Sequence, residues 1–112
     1  MIIEDVVKFK KKNFRKKDKV YTMYFVSFSV KYSKILRRFK ELQNVEVITE
    51  KGRITIPKVN LFKYSYYLDK KTMQKVPQYS FVIPKIFGEQ LDKEGVKKVK
   101  IIVEVPEVSV SQ

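Results

Sequence analysis

Lysine and arginine residues crowd one short segment of this sequence. Lys8–Lys19 holds eight of them against a single acid, Asp18. Such side chains bind phosphate oxygens, and an aromatic ring among them can stack on a nucleotide base. Because like charges repel and do not pack into a core, we expect a flexible arm or hairpin loop that binds a polyanion. A solvated loop without a partner is the alternative. The candidate contact residues here are Lys10, Lys11, Lys12, Phe14, Arg15, Lys16 and Lys17.

A second group of basic candidates lies on a predicted helix and near two Pro-Lys phrases. In Ser33–Gln43 apolar residues recur at helical spacing, with Ser33 as the N-cap and Asn44 as the C-terminal stop. The outer face of this helix would be basic, and its alternative role is a solvated surface. The candidates in this group are Lys34, Arg37 and Arg38 on the helix, and Lys51, Arg53, Lys58 and Lys85 near the phrases.

Most catalytic chemistry is excluded by residues that the sequence lacks. It has no histidine and no cysteine, so it can form no Ser-His-Asp triad, no Cys-His pair, no thiolate zinc site and no disulfide. Its three glycines are too scattered for a glycine-rich phosphate loop. We therefore expect no enzyme activity, no cofactor and no metal.

The composition favours a folded, basic, intracellular protein. The chain has 112 residues, 44% of them hydrophobic, and a formal net charge of +13. That charge attracts polyanions, of which we expect DNA first and RNA second. Lysine enrichment for heat stability is the alternative explanation. No apolar run is long enough to span a membrane, and the N-terminus is a poor signal peptide, so we expect no membrane partner and a cytoplasmic location.

The element pattern predicts an α+β fold, a mostly antiparallel sheet or partial β-barrel of five to seven strands with two short helices. One domain would cover residues 1–106, and 107–112 would be a frayed tail. Strand–helix–strand occurs twice, which suggests a degenerate internal duplication; alternatively, two helices cover one mixed sheet. The predicted strands are Ile2–Phe9, Val20–Phe28, the hairpin Val45–Lys58 with its turn at Lys51-Gly52, Val59–Leu68, Tyr79–Ile83 and Val99–Val105. Asp69–Gln78 is predicted as a loop, and Lys85–Asp92 as a helix with Pro84 at its first position.

The tyrosines of Val59–Leu68 allow two interpretations. Tyrosine beside lysine suits stacking on nucleotides. It also suits a β-surface or a subunit contact, and we favour this structural role.

The segment Tyr79–Val105 resembles the swapped-hairpin domain of AbrB/MazE/SpoVT-type transcription regulators. The matching features are a strand ending in Ile-Pro-Lys, a leucine near the helix end, a glycine turn and a hydrophobic last strand, here Val82–Lys85, Leu91, Gly95 and Val99–Val103. Glu50–Lys58 is similar to the family's opening strand, although a predicted strand follows it where the family has a helix. The resemblance implies an interlocked β-barrel, normally a homodimer, that binds DNA through basic residues. The composition also resembles proteins of hyperthermophilic crenarchaea and their viruses, which implies a thermostable protein of a cell or of a virus in its host's cytoplasm.

Three function hypotheses follow from the sequence. The first is a DNA-binding protein, a transcription regulator acting as a dimer through the basic loop and the basic helix face. The alternative is a structural or interaction protein whose basic surface meets an acidic partner or packages nucleic acid without sequence choice. An RNA-binding module is the third.

Overall fold

Two four-stranded antiparallel sheets pack against each other in the computed structural model, which describes residues 1–106. Sheet A has the strand order β1-β8-β4-β5, and sheet B the order β2-β3-β7-β6. The predicted tail 107–112 lies outside the described residues. The strands are β1 Ile2–Lys8, β2 Lys10–Lys16, β3 Lys19–Ser27, β4 Glu41–Thr49, β5 Gly52–Asn60, β6 Phe62–Asp69, β7 Gln74–Ile83 and β8 Lys98–Glu104. The helices are α1 Ser33–Leu36, which follows a 3₁₀ turn at Val30–Tyr32, and α2 Lys85–Lys93.

The predicted antiparallel α+β fold with two short helices is confirmed, but the predicted strand count of five to seven was too low. Eight strands form within residues 1–106. The lysine-rich segment Lys8–Lys19, which we call the basic block, was expected to be a flexible arm or hairpin loop. It contributes one of these strands, because Lys10–Lys16 pairs along its whole length with β3. Val59–Leu68 contributes to two strands, because the chain passes from sheet A to sheet B at Leu61.

The core lies between the two sheets and follows from the alternation of apolar residues. On sheet B, Val26, Phe81 and Ile83 are buried, and on sheet A, Val47 and Ile101 face them from the other side. Successive side chains of a strand point to opposite faces, so each strand gives every second residue to this layer. Burial of one such side chain contributes about 1.5–3 kcal/mol.

The chain path shows two-fold pseudo-symmetry. In each half, a strand of sheet A passes through one residue, Phe9 or Leu61, into a hairpin of sheet B, and the chain then returns through a helix to sheet A. Exchanging β1–β4 with β5–β8 leaves both strand orders unchanged. The halves meet where β3 pairs with β7 and β4 pairs with β8. The repeated strand–helix–strand path is therefore present within a single chain.

The predicted helix Ser33–Gln43 was wrong beyond its first turn. Helix α1 ends at Leu36, and β4 begins at Glu41. Ser33 is not the N-cap, since its hydroxyl donates a hydrogen bond to the carbonyl of Pro77 at 2.6 Å. The spacing of the apolar residues fits one helical turn followed by a strand equally well. Pairing with the whole of β5 decides in favour of the strand.

Asn44 is not a helix stop but an irregular residue within β4. Its φ is +52°, and the register with β5 skips it. Asparagine tolerates this left-handed conformation better than most residues. The register with β5 is the same on both sides of this position, where Asn44 lies opposite Pro57, so no residue is inserted. The irregular backbone at Asn44 interrupts the alternation of side chains, and Leu42, Val45 and Val47 are all buried.

Three further boundaries differ from the prediction. Asp69–Gln78 is not a loop throughout, because β7 begins at Gln74 and only 70–73 connect the strands. The β4–β5 hairpin turns at Glu50-Lys51 rather than at Lys51-Gly52. Pro84 is the N-cap of α2 rather than its first residue.

Neither helix of the described residues has the length and apolar content needed to cross a bilayer.

Candidate nucleic-acid interface

The basic block forms one strand of a projecting hairpin. Strand β3 pairs with β7 only from Tyr24 to Ser27, so the paired strands between Lys12 and Met23 extend beyond the sheet. We call Lys12–Met23 the arm. Its turn is Lys17-Asp18, and both residues have positive φ, as a type I′ hairpin turn requires. Almost all of the arm is exposed, including every residue from Lys12 to Tyr21.

The register divides the hairpin residues between two faces. Tyr24 and Val26 of β3 belong to the core, so the residues that alternate with them lie on the face of sheet B turned away from sheet A. We call this the outer face. Residues directly opposite each other share a face. The outer pairs are Lys10–Phe25, Lys12–Met23, Phe14–Tyr21 and Lys16–Lys19, and the inner pairs are Lys11–Tyr24, Asn13–Thr22 and Arg15–Val20.

Aromatic rings cover much of the outer face. Phe14 and Tyr21 stack on the arm with their ring centroids 5.6 Å apart, and each is 43% exposed. At the arm's base Phe25 is only 1% exposed but lies outside the core cluster. The ring of Tyr64, 4.6 Å away between centroids, and that of Phe62 cover it instead. Tyr64 itself is 41% exposed and presents a ring to solvent.

Two lysines lie over these rings. The Nζ atom of Lys10 is 5.4 Å from the ring centroid of Tyr64 and 5.7 Å from that of Phe25, and it donates a hydrogen bond to Ser27 Oγ at 3.3 Å. Lys12 Nζ is 5.7 Å from the Tyr64 centroid. Partial burial, helped by the nearby charge of Lys8, lowers the pKa of Lys10. Lys10 is therefore held against the surface, whereas the exposed ammonium of Lys12 can move to a ligand.

The inner face of the arm's base is fixed to helix α2. Lys11 Nζ contacts Asp92 Oδ2 at 3.0 Å, and the Tyr24 hydroxyl donates to the same oxygen at 3.3 Å. The hydrogen bond raises the pKa of Lys11 and lowers that of Asp92, and burial raises the pKa of Tyr24. Lys11, one of the residues predicted to bind phosphate, is thus engaged in a contact that orients the arm.

The two sheets differ in charge. The strands of sheet B contain eight lysines and arginines and one acid, whereas those of sheet A contain five of each. On sheet A, Lys100 pairs with Glu4, Arg53 with Glu46 and Lys58 with Glu41. Within residues 1–106, Lys11 is the only cation of sheet B's strands that pairs with an acid. Sheet B is therefore the less neutralised of the two sheets, and four of its cations, Lys10, Lys12, Lys16 and Lys19, lie on the outer face.

The structure brings together only part of the set of residues predicted from the sequence. Lys10, Lys12, Phe14 and Lys16 share the outer face, Lys11 and Arg15 lie on the inner face, and Lys17 is in the turn. The helix candidates Lys34, Arg37 and Arg38 surround α1, which contacts the Pro77 end of β7, away from the arm. Lys51, Arg53 and Lys58 belong to the β4–β5 hairpin, and Lys85 begins α2; all four lie within 4 Å of an acid.

Sequence reasoning did not single out Lys19 or Tyr21, and it considered Tyr64 only together with the other tyrosines of Val59–Leu68, for which it favoured a structural role. The first two could have been found by treating Lys17-Asp18 as a two-residue turn, which places Phe14 opposite Tyr21 and Lys16 opposite Lys19. The sequence does not distinguish Tyr64 from the other tyrosines, because the register shift between Lys63 and Ser65 decides which of them share its face.

Comparisons of the chain with protein-family models, with curated proteins and with solved structures found no match. Within residues 1–106, no group of three or more acids could hold a metal ion.

Proposed function

We propose that this protein binds nucleic acid through the outer face of sheet B and its arm. One observation carries the proposal: on this face, lysines that have no acidic partner among residues 1–106 alternate with exposed aromatic rings. Lysines bind the phosphate backbone, and the rings offer surfaces on which bases stack. An acidic protein partner would use the lysines but would have no particular need for the rings.

The tip of the arm supports this proposal through an arrangement that is unfavourable on its own. Lys16 and Lys19 lie directly opposite each other on the outer face, with Lys17 next to them in the turn. Like charges in opposing positions of a sheet are destabilising. A phosphate group bound between them would remove this repulsion, so the tip is suited to an anionic ligand.

The finer assignments made from the sequence belong to this proposal. A regulatory role, which the AbrB-type resemblance implies, would require a marked preference for one DNA sequence. The cations around α1 and on the β4–β5 hairpin would add to the general positive field that attracts a polyanion. Their contribution to affinity should be smaller than that of the arm.

A charge-matched pair of double variants tests the proposal. The first, Lys12→Gln/Lys16→Gln, alters the outer face, and the control, Arg53→Gln/Lys58→Gln, removes the same charge from sheet A. Binding of labelled DNA and RNA oligonucleotides is measured by fluorescence anisotropy over a series of salt concentrations. The plot of log K against log salt has a negative slope. In the first variant this slope should become less steep by about 0.7–0.9 for each phosphate that a lysine no longer binds.

The control variant should keep the wild-type slope. Equal effects of the two variants would show that net charge alone governs binding and would overturn the assignment to the outer face. Absence of salt-dependent binding to every oligonucleotide, or preferred binding to an acidic protein, would overturn the proposed function itself.

A further inference from the structure

We infer that the outer face of sheet B is built for single-stranded nucleic acid, with bases stacked on Phe14, Tyr21 and Tyr64. The inference rests on the proposed function and names the class of nucleic acid that this surface takes. It concerns a different property from charge, because every nucleic acid carries phosphates but only an unpaired strand offers the faces of its bases.

Exposed rings distinguish single strands from duplexes. In a duplex the bases are stacked on one another and present only their edges in the grooves. Unstacked bases of a single strand can stack on phenylalanine or tyrosine. Phe14, Tyr21 and Tyr64 lie on one face and are each more than 40% exposed, so stacking surfaces are available without rearrangement of the core.

The rings form two stacking positions along β3. Tyr21 and Phe25 are four residues apart, which corresponds to about 13 Å along a strand. Tyr21 and Phe14 make the position on the arm, and Tyr64, which covers Phe25, makes the one at its base. Lys12 lies between them with its Nζ atom over Tyr64. A base stacking on Tyr64 would displace this ammonium toward the phosphate of its own nucleotide.

Insertion of the arm into a duplex major groove is the rival arrangement. A two-stranded ribbon fits that groove, but sequence readout there needs hydrogen-bonding side chains that reach base edges. The middle of the arm's outer face carries the Phe14–Tyr21 pair, which lies between lysines and offers ring faces rather than hydrogen-bonding groups at its centre. The only amide side chain of the arm, that of Asn13, is on the inner face. It accepts a hydrogen bond from the Thr22 hydroxyl at 2.7 Å. These contacts favour stacking over groove readout.

The test compares a labelled single strand of about 20 thymidines, long enough for a typical site, with a duplex of equal length. Three full-length variants, Phe14→Leu, Tyr21→Leu and Tyr64→Leu, remove one ring each without changing charge. The matched control is Tyr66→Leu, because Tyr66 is 60% exposed but pairs with Pro77 on the inner face. Leucine at position 64 keeps an apolar cover over Phe25. The two arm variants do not touch the core, so they remain informative if the Tyr64 variant unfolds.

We expect the single strand to bind at least ~10-fold more tightly than the duplex. Each of the three variants should weaken single-strand binding by about fivefold or more, because stacking contributes ~1–3 kcal/mol per base. Their salt slopes should match that of the wild type, and Tyr66→Leu should bind like the wild type. Duplex binding that is equal or tighter, or equal losses in all four variants, would overturn this inference and leave the proposed function standing. Failure of both the strand and the duplex to bind, or preferred binding to anionic lipid vesicles, would overturn both.

Discussion

The side chain of Tyr24 joins the base of the arm to helix α2. Its ring stacks on Phe9 with centroids 5.7 Å apart and planes within 3° of parallel, and its hydroxyl reaches Asp92. The helix backbone also approaches this ring at Gly88, which is buried. A larger residue at position 88 would push the helix away from β3. The direction of the arm therefore depends on a glycine within the helix.

Gly88→Ala should destabilise the protein, although helix propensity alone predicts the reverse. Alanine is favoured over glycine within a helix by about 1 kcal/mol. A Cβ atom at position 88 would come within 2.7 Å of Tyr24 Cβ and closer still to the ring. We expect overpacking to dominate and to lower the free energy of unfolding by about 1–3 kcal/mol, as measured by urea denaturation. Gln90→Ala, on the exposed side of the same helix, is the control and should change stability by less than about 0.5 kcal/mol. A more stable Gly88→Ala variant would contradict the packing described for Tyr24.

Neighbouring lysines of the basic block have different surroundings, and the sequence could not show this. Lys11 pairs with Asp92 on the inner face, whereas Lys12 lies over Tyr64 on the outer face. Because side chains alternate along a strand, the position of the turn decides which lysine faces which way. Residue types in Lys8–Lys19 predicted a basic, exposed segment correctly. Assigning roles to single lysines required the register with β3.

At the scale of elements, the arm turns without a glycine. Lys17 and Asp18 have φ values of +50° and +64°, a region that is disfavoured for residues other than glycine, asparagine and aspartate, so the strain falls mainly on Lys17. The usual Asn-Gly signal of a type I′ turn is absent, so the sequence predicts only an arm or a loop here. The tip thus combines backbone strain with repulsion between lysines. Its sequence is not the one that stability alone would favour.

Lys17→Asn/Asp18→Gly should stabilise the arm. Both new residues accept positive φ readily, and the pair of changes leaves the net charge unaltered. We expect a gain on the order of 1 kcal/mol in the free energy of unfolding, together with slower hydrogen exchange of the arm's backbone amides. Glu50→Asn/Lys51→Gly is the matched control at the β4–β5 turn, where neither residue has positive φ. The control should gain nothing and lose slightly, because glycine adds freedom to the unfolded chain. Equal gains at both turns would refute the explanation from strain.

The two helices show why one prediction held and the other did not. Helix α2 lies between strong local signals, with Pro84 at its start and Gly95 just beyond its end. Helix α1 was predicted from apolar spacing, with Ser33 as its N-cap and Asn44 as its stop, but neither residue has that role in the structure. Local sequence is equally insufficient at Pro57. The phrase Ile56-Pro57-Lys58 resembles the end of a strand before a helix, but Pro57 lies inside β5. That strand is at the edge of sheet A, where a missing N–H is tolerated. Tertiary pairing, which no local pattern contains, decided these elements.

At the scale of the whole molecule, pseudo-symmetric sheets have acquired different surfaces. The hairpins β2–β3 and β6–β7 occupy equivalent places in sheet B, but they extend from opposite ends of the β3–β7 pair. The first is dominated by lysine, whereas the exposed large side chains of the second include Tyr66, Tyr67 and Leu68. The charge asymmetry therefore follows from the surface residues rather than from the path of the backbone. Composition could reveal the excess of charge, but only the topology shows that it gathers on one sheet.

The pairing of the two halves within one chain bears on the oligomeric state that the AbrB-type resemblance implies. Both contacts between the halves, β3 with β7 and β4 with β8, are made inside a single chain. Further pairing is opposed at three of the four edge strands. Two of them contain residues that oppose it, and the third is joined directly to one of these two. Strand β2 contains the lysine block, β5 contains Pro57, and β1 leads directly into β2. The remaining edge, β6, is interrupted by the register shift at Lys63 and Ser65.

We therefore expect thermal unfolding to be independent of protein concentration. Separating an interlocked dimer would expose core surface, so its apparent stability would rise by about 1.4 kcal/mol for each tenfold increase in concentration. That change would move the unfolding midpoint by a few degrees in a domain of this size. Calorimetric scans over a hundredfold range of concentration, with the mass from sedimentation equilibrium, distinguish the two cases. A monomeric mass with a constant midpoint would support closure of both sheets by one chain. A midpoint that rises with concentration would instead require a second chain, paired through the remaining edge strand β6. In that case Tyr67→Lys should abolish the dependence on concentration, because a lysine on an edge strand opposes pairing.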